Sequence, residues 1–208
     1  MLDLLQTNPT FFVFVAIGLI VAITIHEFAH SFVANWLGDP TPRLMGRLSL
    51  NPLAHLDPLG TFLLLFIGFG WGKPVPFDPY NLKNPRRDAA AIALAGPFSN
   101  LILASVISLF WRFFTPSYSV ILYSLLLANI QLAVFNLIPI HPLDGGKILV
   151  GLLPRAKAHI VDKFLKQYGV YLLIIAIFPI FGGSLISLVV SPLINFLLKI
   201  YLPGSLFI

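Results

Sequence analysis

Long apolar runs separated by short polar segments dominate the chain and predict membrane-spanning helices. Three runs reach the roughly 20 residues that an α-helix needs to cross a bilayer. They cover residues 11–37, 89–114 and 119–138. The pattern predicts an all-α polytopic membrane protein, with residues 1–208 forming a single membrane-embedded domain.

Two further apolar stretches are interrupted. The last one contains Pro179 and a pair of glycines, so we expect two short spans at about 168–181 and 185–202. The stretch at 59–77 is too short to span comfortably and is rich in glycine and proline. We expect it to be a re-entrant or strand-like segment buried against protein, and we expect a short helix at 144–153.

The composition supports a lipid environment. Hydrophobic residues make up 58% of the chain and charged residues 10%, with a mean hydropathy of +0.91, whereas a globular protein carries about 25% charged residues. The absence of cysteine leaves His, Asp and Glu as the candidate metal ligands. The net charge of +5 favours contact with anionic lipid and not with nucleic acid, because the basic residues lie in loops between apolar runs.

The distribution of Lys and Arg predicts the orientation. The first residues carry no basic side chain, so the first run reads as a retained membrane helix and not as a cleaved signal peptide. With the N-terminus outside, all of the 13 Lys and Arg residues except Arg112 fall on the cytosolic side. We therefore expect a multi-pass protein of the plasma membrane.

A metal-binding pattern lies inside the first apolar run. His26 and His30 are four residues apart, so both imidazoles lie on one helix face and can converge on one zinc ion. Glu27, the one glutamate of the chain, follows the first histidine and is suited to act as general base on a water molecule. A chance match is the alternative, but ionisable groups at membrane depth are costly unless they pair or bind metal.

A catalytic zinc needs a third protein ligand and an open position. The chain has no second glutamate, and Val33 and Trp36 occupy the positions that a longer histidine motif would fill. The third ligand must then be Asp or His, and Asp144, on the same side of the membrane after the third run, is the best candidate. The alternative for Asp144 is an N-cap of the following helix. The other candidate ligands are His141, Asp57 and His55.

Three sequence elements together resemble the site-2 protease family of membrane zinc proteases. They are HEFAH at 26–30, AGPFSN at 95–100 and NLIPIHPLDGG at 136–146. The short length resembles a compact branch of that family without extra regulatory domains. From the residues alone, Pro97 and Asn100 are expected to shape helix packing.

The resemblance implies a site. It implies one Zn²⁺ ion bound by His26, His30 and Asp144, with Glu27 as the catalytic residue that activates water. Asn136 matches a family asparagine that contacts the substrate or the developing oxyanion, and the alternative for Asn136 is an interhelical hydrogen bond.

The predicted function is that of an intramembrane zinc-dependent endopeptidase, with its active site toward the cytosol. Its partners would be a transmembrane protein or peptide substrate and the lipid bilayer, with no nucleic acid. Because a substrate helix must unwind before attack, we expect residues 66–77 to offer it an extended edge. The alternatives are a membrane metal-ion transporter and a catalytically inactive relative that binds membrane proteins.

Overall fold

The structure is a computed structural model that describes residues 2–67, 70–113, 119–178 and 184–202. Within these ranges the chain is built from α-helices joined by loops and short 3₁₀ turns. The helices are α1 (Leu2–Thr7), α2 (Pro9–Trp36), α3 (Thr41–Leu44), α4 (Pro58–Ile67), α5 (Pro85–Trp111), α6 (Ser119–Asn136), α7 (Asp144–Leu152), α8 (Arg155–Ile177) and α9 (Leu185–Tyr201).

Helices α2, α5 and α6 form the core, and each contacts the other two. All three are long and apolar enough to cross a membrane, which confirms the predicted all-α polytopic fold. Large apolar side chains on their outer surfaces are exposed, as expected for lipid-facing positions; examples are Val13 and Phe98. Residue 114, the predicted end of the second span, lies outside the described residues.

A small residue brings two of the core helices close together. A Cβ atom at Gly18 of α2 would lie 2.8 Å from the backbone oxygen of Ser124 on α6. Such close approach of backbones is how membrane helices gain packing energy without a hydrophobic driving force between them. On the other side of α6, apolar residues of α5, α6 and α9 form a shared cluster. Its buried members are Ala104, Ile107, Trp111, Leu126, Ile130, Val134 and Val190.

The segment at 59–77, predicted to be re-entrant or strand-like, has two different halves. Its first part is the helix α4, which contacts α1. The chain has turned back toward the start of α4 by Gly70, since this glycine packs directly against the backbone oxygen of Gly60. From Gly70 onward the backbone is extended and forms an isolated antiparallel bridge between Gly72 and Leu56. Residues 68 and 69 lie outside the described residues.

The C-terminal stretch contains two helices where two short spans are predicted, and that these helices cross the membrane stays a prediction. Helix α9 occupies the range expected for the second span, whereas α8 begins at Arg155, well before the expected start at 168. The difference arises because hydropathy reports only the apolar part of α8, and the basic segment preceding it is helical as well. Helix α8 contacts α7 and α9. The predicted interruption at Pro179 lies outside the described residues.

Candidate metal centre

Two histidines of α2 face the interior of the helical core. His26 and His30 are one helical turn apart, and their ring centroids lie 4.6 Å apart with the rings perpendicular. Both side chains are almost fully buried, with relative exposures of 4% and 6%. The spacing that predicted convergence from the sequence therefore produces it in the fold.

A carboxylate from the far side of the core completes the group. The Oδ2 atom of Asp144 lies 3.0 Å from Nε2 of His26 and 3.2 Å from Nε2 of His30. Leu143 is the N-cap residue of α7 and no side chain caps this helix, so the alternative role of Asp144 as an N-cap does not apply. The structure thus brings the three predicted ligand residues together, in a group that could hold one metal ion.

The hydrogen bonds behind the rings determine which nitrogens face the centre. Nδ1 of His30 lies 2.7 Å from the backbone oxygen of Ile92, which can only accept, so the proton is on Nδ1. Nδ1 of His26 lies 2.7 Å from Oδ1 of Asn100. In the neutral imidazoles, both Nε2 atoms then carry lone pairs. Two lone pairs and a carboxylate oxygen converge at one point in that state, an arrangement that a cation stabilises.

Helix α5 leaves room for this group. A Cβ atom at Gly96 would lie 2.5 Å from the His30 ring and 2.6 Å from Nε2 of His26, closer than atoms can approach. Asn100, one turn later on the same face, is the hydrogen-bond partner of His26. From the sequence, Asn100 was expected only to shape helix packing. The four-residue spacing of Gly96 and Asn100 is the signal that could have linked both to the site.

A cavity of about 370 Å³ opens beside the three residues. Glu27 lines it, half-buried, and its carboxylate accepts no hydrogen bond from any residue that the structure describes. Asn136 lines it as well, with its Nδ2 donating to the backbone oxygen of Leu132 at 3.0 Å. Its lining also includes Trp71 and Gly72 of the segment that follows α4.

The other candidate ligands lie elsewhere and have other partners. His141 contacts Asp162 of α8, with 3.3 Å between Nε2 and Oδ1. Asp57 accepts a hydrogen bond from the backbone N–H of Gly60 at the start of α4. His55 is fully buried and its Nε2 lies 2.6 Å from the backbone oxygen of Ser49. These residues shape the loops around the site and do not join the three-residue group.

Comparison with known proteins places the chain in a family. It is 37% identical over 197 residues to YwhC of Bacillus subtilis, a protein named as a zinc metalloprotease, and the match covers 88% of this chain and 86% of YwhC. The chain belongs to peptidase family M50. The sequence profile of that family matches residues 115–180.

Two further relatives are also named as zinc metalloproteases. The zinc metalloprotease MJ0392 of Methanocaldococcus jannaschii is 27% identical over 196 residues, which cover 92% of this chain and 50% of MJ0392. Rip2 of Mycobacterium tuberculosis, also named as a zinc metalloprotease, is 33% identical over 184 residues, or 83% of this chain and 70% of Rip2. The chain spans about half the length of MJ0392. No solved structure matches the chain.

Membership of the M50 family confirms the predicted site-2 protease resemblance and makes the protein a zinc metallopeptidase of the membrane, acting on a peptide or protein substrate there. The predicted zinc cofactor is confirmed by the same relatives and by the three-residue group. The individual roles of the site residues stay predictions.

Proposed function

We propose that this M50 peptidase is an intramembrane endopeptidase that cleaves transmembrane segments near the cytosolic face. The observation that carries the proposal is the position of the three-residue group. His26 and His30 lie inside a helix long and apolar enough to span the membrane, and Asp144 begins α7, the next helix after another such span. A peptidase centre held between membrane helices is suited to substrates that reach it through the lipid.

In this proposal His26, His30 and Asp144 hold the zinc ion, and residues 1–208 act as one membrane-embedded domain. Bound zinc supplies Lewis-acid polarisation of the scissile carbonyl and activates water for attack. Glu27 takes the proton from the attacking water and passes it to the nitrogen of the leaving amine. Its position on the cavity wall beside the two histidines, with no competing hydrogen bond from the part of the chain that the structure describes, supports this role.

Asn136 acts as a hydrogen-bond donor to the oxyanion or to the substrate backbone. One N–H of its amide is used by the backbone oxygen of Leu132, which fixes the side chain at the cavity wall. The second N–H stays available for an oxygen that develops charge in the transition state.

The extended backbone across the cavity presents an edge for the unwound substrate. Gly72 pairs with Leu56 on one side, and the N–H of Lys73 donates to the oxygen of His55 at 2.7 Å. A Cβ atom at Gly72 would lie 3.5 Å from Oε1 of Glu27, so this backbone passes beside the proposed general base. A substrate strand added to its free edge would run through the cavity, with main-chain hydrogen bonds supplying register.

The proposed orientation of the protein in the membrane rests on the positions of the Lys and Arg residues. The segments that follow the metal-centre ends of α2 and α6 in the chain carry nearly all of the basic residues, which supports a cytosolic position for that end. We propose the plasma membrane as the location.

The test compares wild type with Glu27→Gln, in liposomes, against a panel of single-span peptides that carry glycine near the cytosolic end of the span. We expect equal zinc content in both proteins and cleavage within the span by wild type alone. Cleavage of unfolded soluble peptides with no cleavage of any single-span peptide would contradict the intramembrane proposal. Cleavage by Glu27→Gln would contradict the role of the glutamate.

A second variant addresses the substrate edge. Gly72→Pro removes the backbone N–H and stiffens the chain beside the cavity, so we expect cleavage to fall much more than zinc content. Unchanged cleavage with unchanged zinc content would show that the substrate does not pair with this edge.

A further inference from the structure

Two asparagine side chains link all three core helices beneath the metal centre. Asn129 of α6 and Asn100 of α5 are both completely buried. Nδ2 of Asn100 lies 2.8 Å from Oδ1 of Asn129, and Oδ1 of Asn100 reaches His26 of α2. Buried amides in a membrane protein are costly unless every link is satisfied, so this series of contacts requires an explanation.

The direction of every hydrogen bond in the series is determined by backbone oxygens, which can only accept. Nδ2 of Asn129 donates to the oxygen of Leu125 at 2.8 Å, so Oδ1 of Asn129 must face Asn100. Nδ2 of Asn100 donates to the oxygen of Ala22 at 3.0 Å and to Asn129. The Oδ1 of Asn100 is thereby left for His26.

The contact between Asn100 and His26 determines which ring nitrogen of the histidine carries a proton. Because Oδ1 of Asn100 is an acceptor, Nδ1 of His26 must carry a proton. In the neutral ring, which is the form that binds a metal, the Nε2 lone pair then points toward Asp144. We propose that Asn129 is a positioning residue for the metal centre. Acting through Asn100, it holds His26 in the tautomer and the ring orientation that bind zinc. The inference rests on the proposed zinc ligands.

The two histidines differ in the kind of group that orients the ring. His30 is oriented by a backbone oxygen, that of Ile92, and no side-chain substitution removes that partner. His26 is oriented by side chains alone, through Asn100 and then Asn129. The inference therefore predicts that a change on α6, two hydrogen bonds away from His26, weakens zinc binding through that one ligand.

The test measures zinc affinity of the full-length protein in detergent, by competition with a chromophoric chelator, so turnover is not needed. Asn129→Leu has a similar size but cannot accept from Asn100. Loss of an outer partner of a metal ligand weakens affinity by about 10–100-fold, and for this more remote position we expect about tenfold. The absorption spectrum of bound Co²⁺ should change as well, because the ligand geometry at His26 relaxes.

Two matched variants separate positioning from packing. Asn129→Asp, kept protonated by burial, retains one oxygen for Asn100 to donate to and an O–H that can donate to the backbone oxygen of Leu125. Zinc affinity should therefore return close to the wild-type value even if thermal stability falls. Ser124→Ala removes another buried polar group of α6, whose hydroxyl donates to Val120 of its own helix at 2.9 Å. It should leave zinc affinity unchanged.

Three results would overturn the inference: wild-type affinity in Asn129→Leu, an equal loss in Asn129→Leu and Asn129→Asp, or affinities that follow thermal stability across all variants. If Asn129→Leu does not accumulate, Asn129→Ala carries the same prediction. A wild-type protein that binds zinc but cuts no membrane helix would refute the proposed cleavage and leave this inference standing.

Discussion

Two clusters of buried polar residues hold this protein together, one in the membrane core and one in the loop between α2 and α5. The core cluster joins side chains that are far apart in the sequence. His26 and Asn100 are separated by 74 positions, and His26 and Asp144 by 118. Asn129 extends the cluster to the third helix.

The loop cluster relies largely on the backbone of its own segment. Asp39, completely buried, accepts hydrogen bonds from Thr41, from the backbone N–H of Asp78 and from the side chain of Asn81. These bonds fasten the first turn after α2 to the end of the loop. Arg47 is equally central to the loop. It donates to the backbone oxygens of Ala54, Lys73 and Pro74.

The two clusters differ in how the hydrogen-bonding groups at their centres are paired. The carboxylate of Asp39 and the guanidinium of Arg47 each make several hydrogen bonds within this segment. Nδ1 of the neighbouring His55 is buried with no hydrogen-bond partner among the described residues. In the core, the Nδ1 donors of both histidines are used behind the rings, and in the neutral imidazoles the Nε2 lone pairs face one carboxylate oxygen. Such an excess of acceptors at one point favours a bound cation.

The largest effect is expected from Gly96→Ala in the core. The added methyl group would overlap both histidine rings, so we expect zinc content to fall to near background in purified protein. Gly18→Ala is the matched control, because its methyl group also meets a neighbouring helix at 2.8 Å but does so away from the metal centre. It should lower the melting temperature and keep zinc. Full zinc content in Gly96→Ala would contradict the proposed centre.

The next effect is expected from Arg47→Lys in the loop. A lysine keeps the charge but cannot span three carbonyl oxygens, so the extended backbone that includes Lys73 and Pro74 should loosen. We expect kcat/KM for a single-span substrate to fall about tenfold, or about 1.4 kcal/mol, with unchanged zinc content. Arg43→Lys, at an exposed position of α3, is the control. Equal kinetics in both variants would show that Arg47 does not support the substrate edge.

A smaller effect on activity is expected from Asp39→Asn, which should act on stability. Burial tends to raise the pKa of Asp39, but hydrogen bonds from Thr41, Asn81 and the N–H of Asp78 outweigh it and hold the pKa below its usual value. Replacing the carboxylate should destabilise the loop by about 1–3 kcal/mol, seen as a lower melting temperature at neutral pH, with zinc affinity kept.

The pH dependence of this difference has a defined sign. A carboxyl group with a lowered pKa in the folded state stabilises fully above its unfolded pKa of about 3.9, and this stabilisation is lost as the pH falls through the folded value. The melting temperatures of wild type and Asp39→Asn should therefore differ at pH 7 and converge in acid. A gap that widens on acidification would contradict the assignment.

The smallest effect is expected outside both clusters, at Asp162 of α8. This carboxylate pairs with Lys166 at 2.6 Å and with His141 at 3.3 Å, but the lysine side chain is 70% exposed. Exposed ion pairs contribute about 0–1 kcal/mol. Asp162→Asn should leave zinc affinity unchanged and shift the melting temperature only slightly. A loss of zinc would mean that His141 transmits the position of α8 to Asp144.

Several features could be predicted because they depend on neighbours in the sequence. The three core spans follow from the length of apolar runs, and the convergence of His26 and His30 follows from the helical repeat. The start of α8 could not be predicted in this way, since its first turns are basic and give no hydropathy signal. The helix in the first half of the 59–77 segment could not be predicted either, because the glycines of that segment argue against a helix.

The sequence by itself therefore determined the membrane helices, the paired imidazoles with their neighbouring glutamate, and the short set of carboxylates and histidines from which a third ligand could come. Tertiary structure alone decided that Asp144 meets the imidazoles, that Gly96 leaves space for them and that Asn100 and Asn129 orient His26. The physical reason is the distance along the sequence over which each kind of interaction acts. A helical repeat acts over four residues, whereas these contacts depend on how α2, α5 and α6 pack against one another.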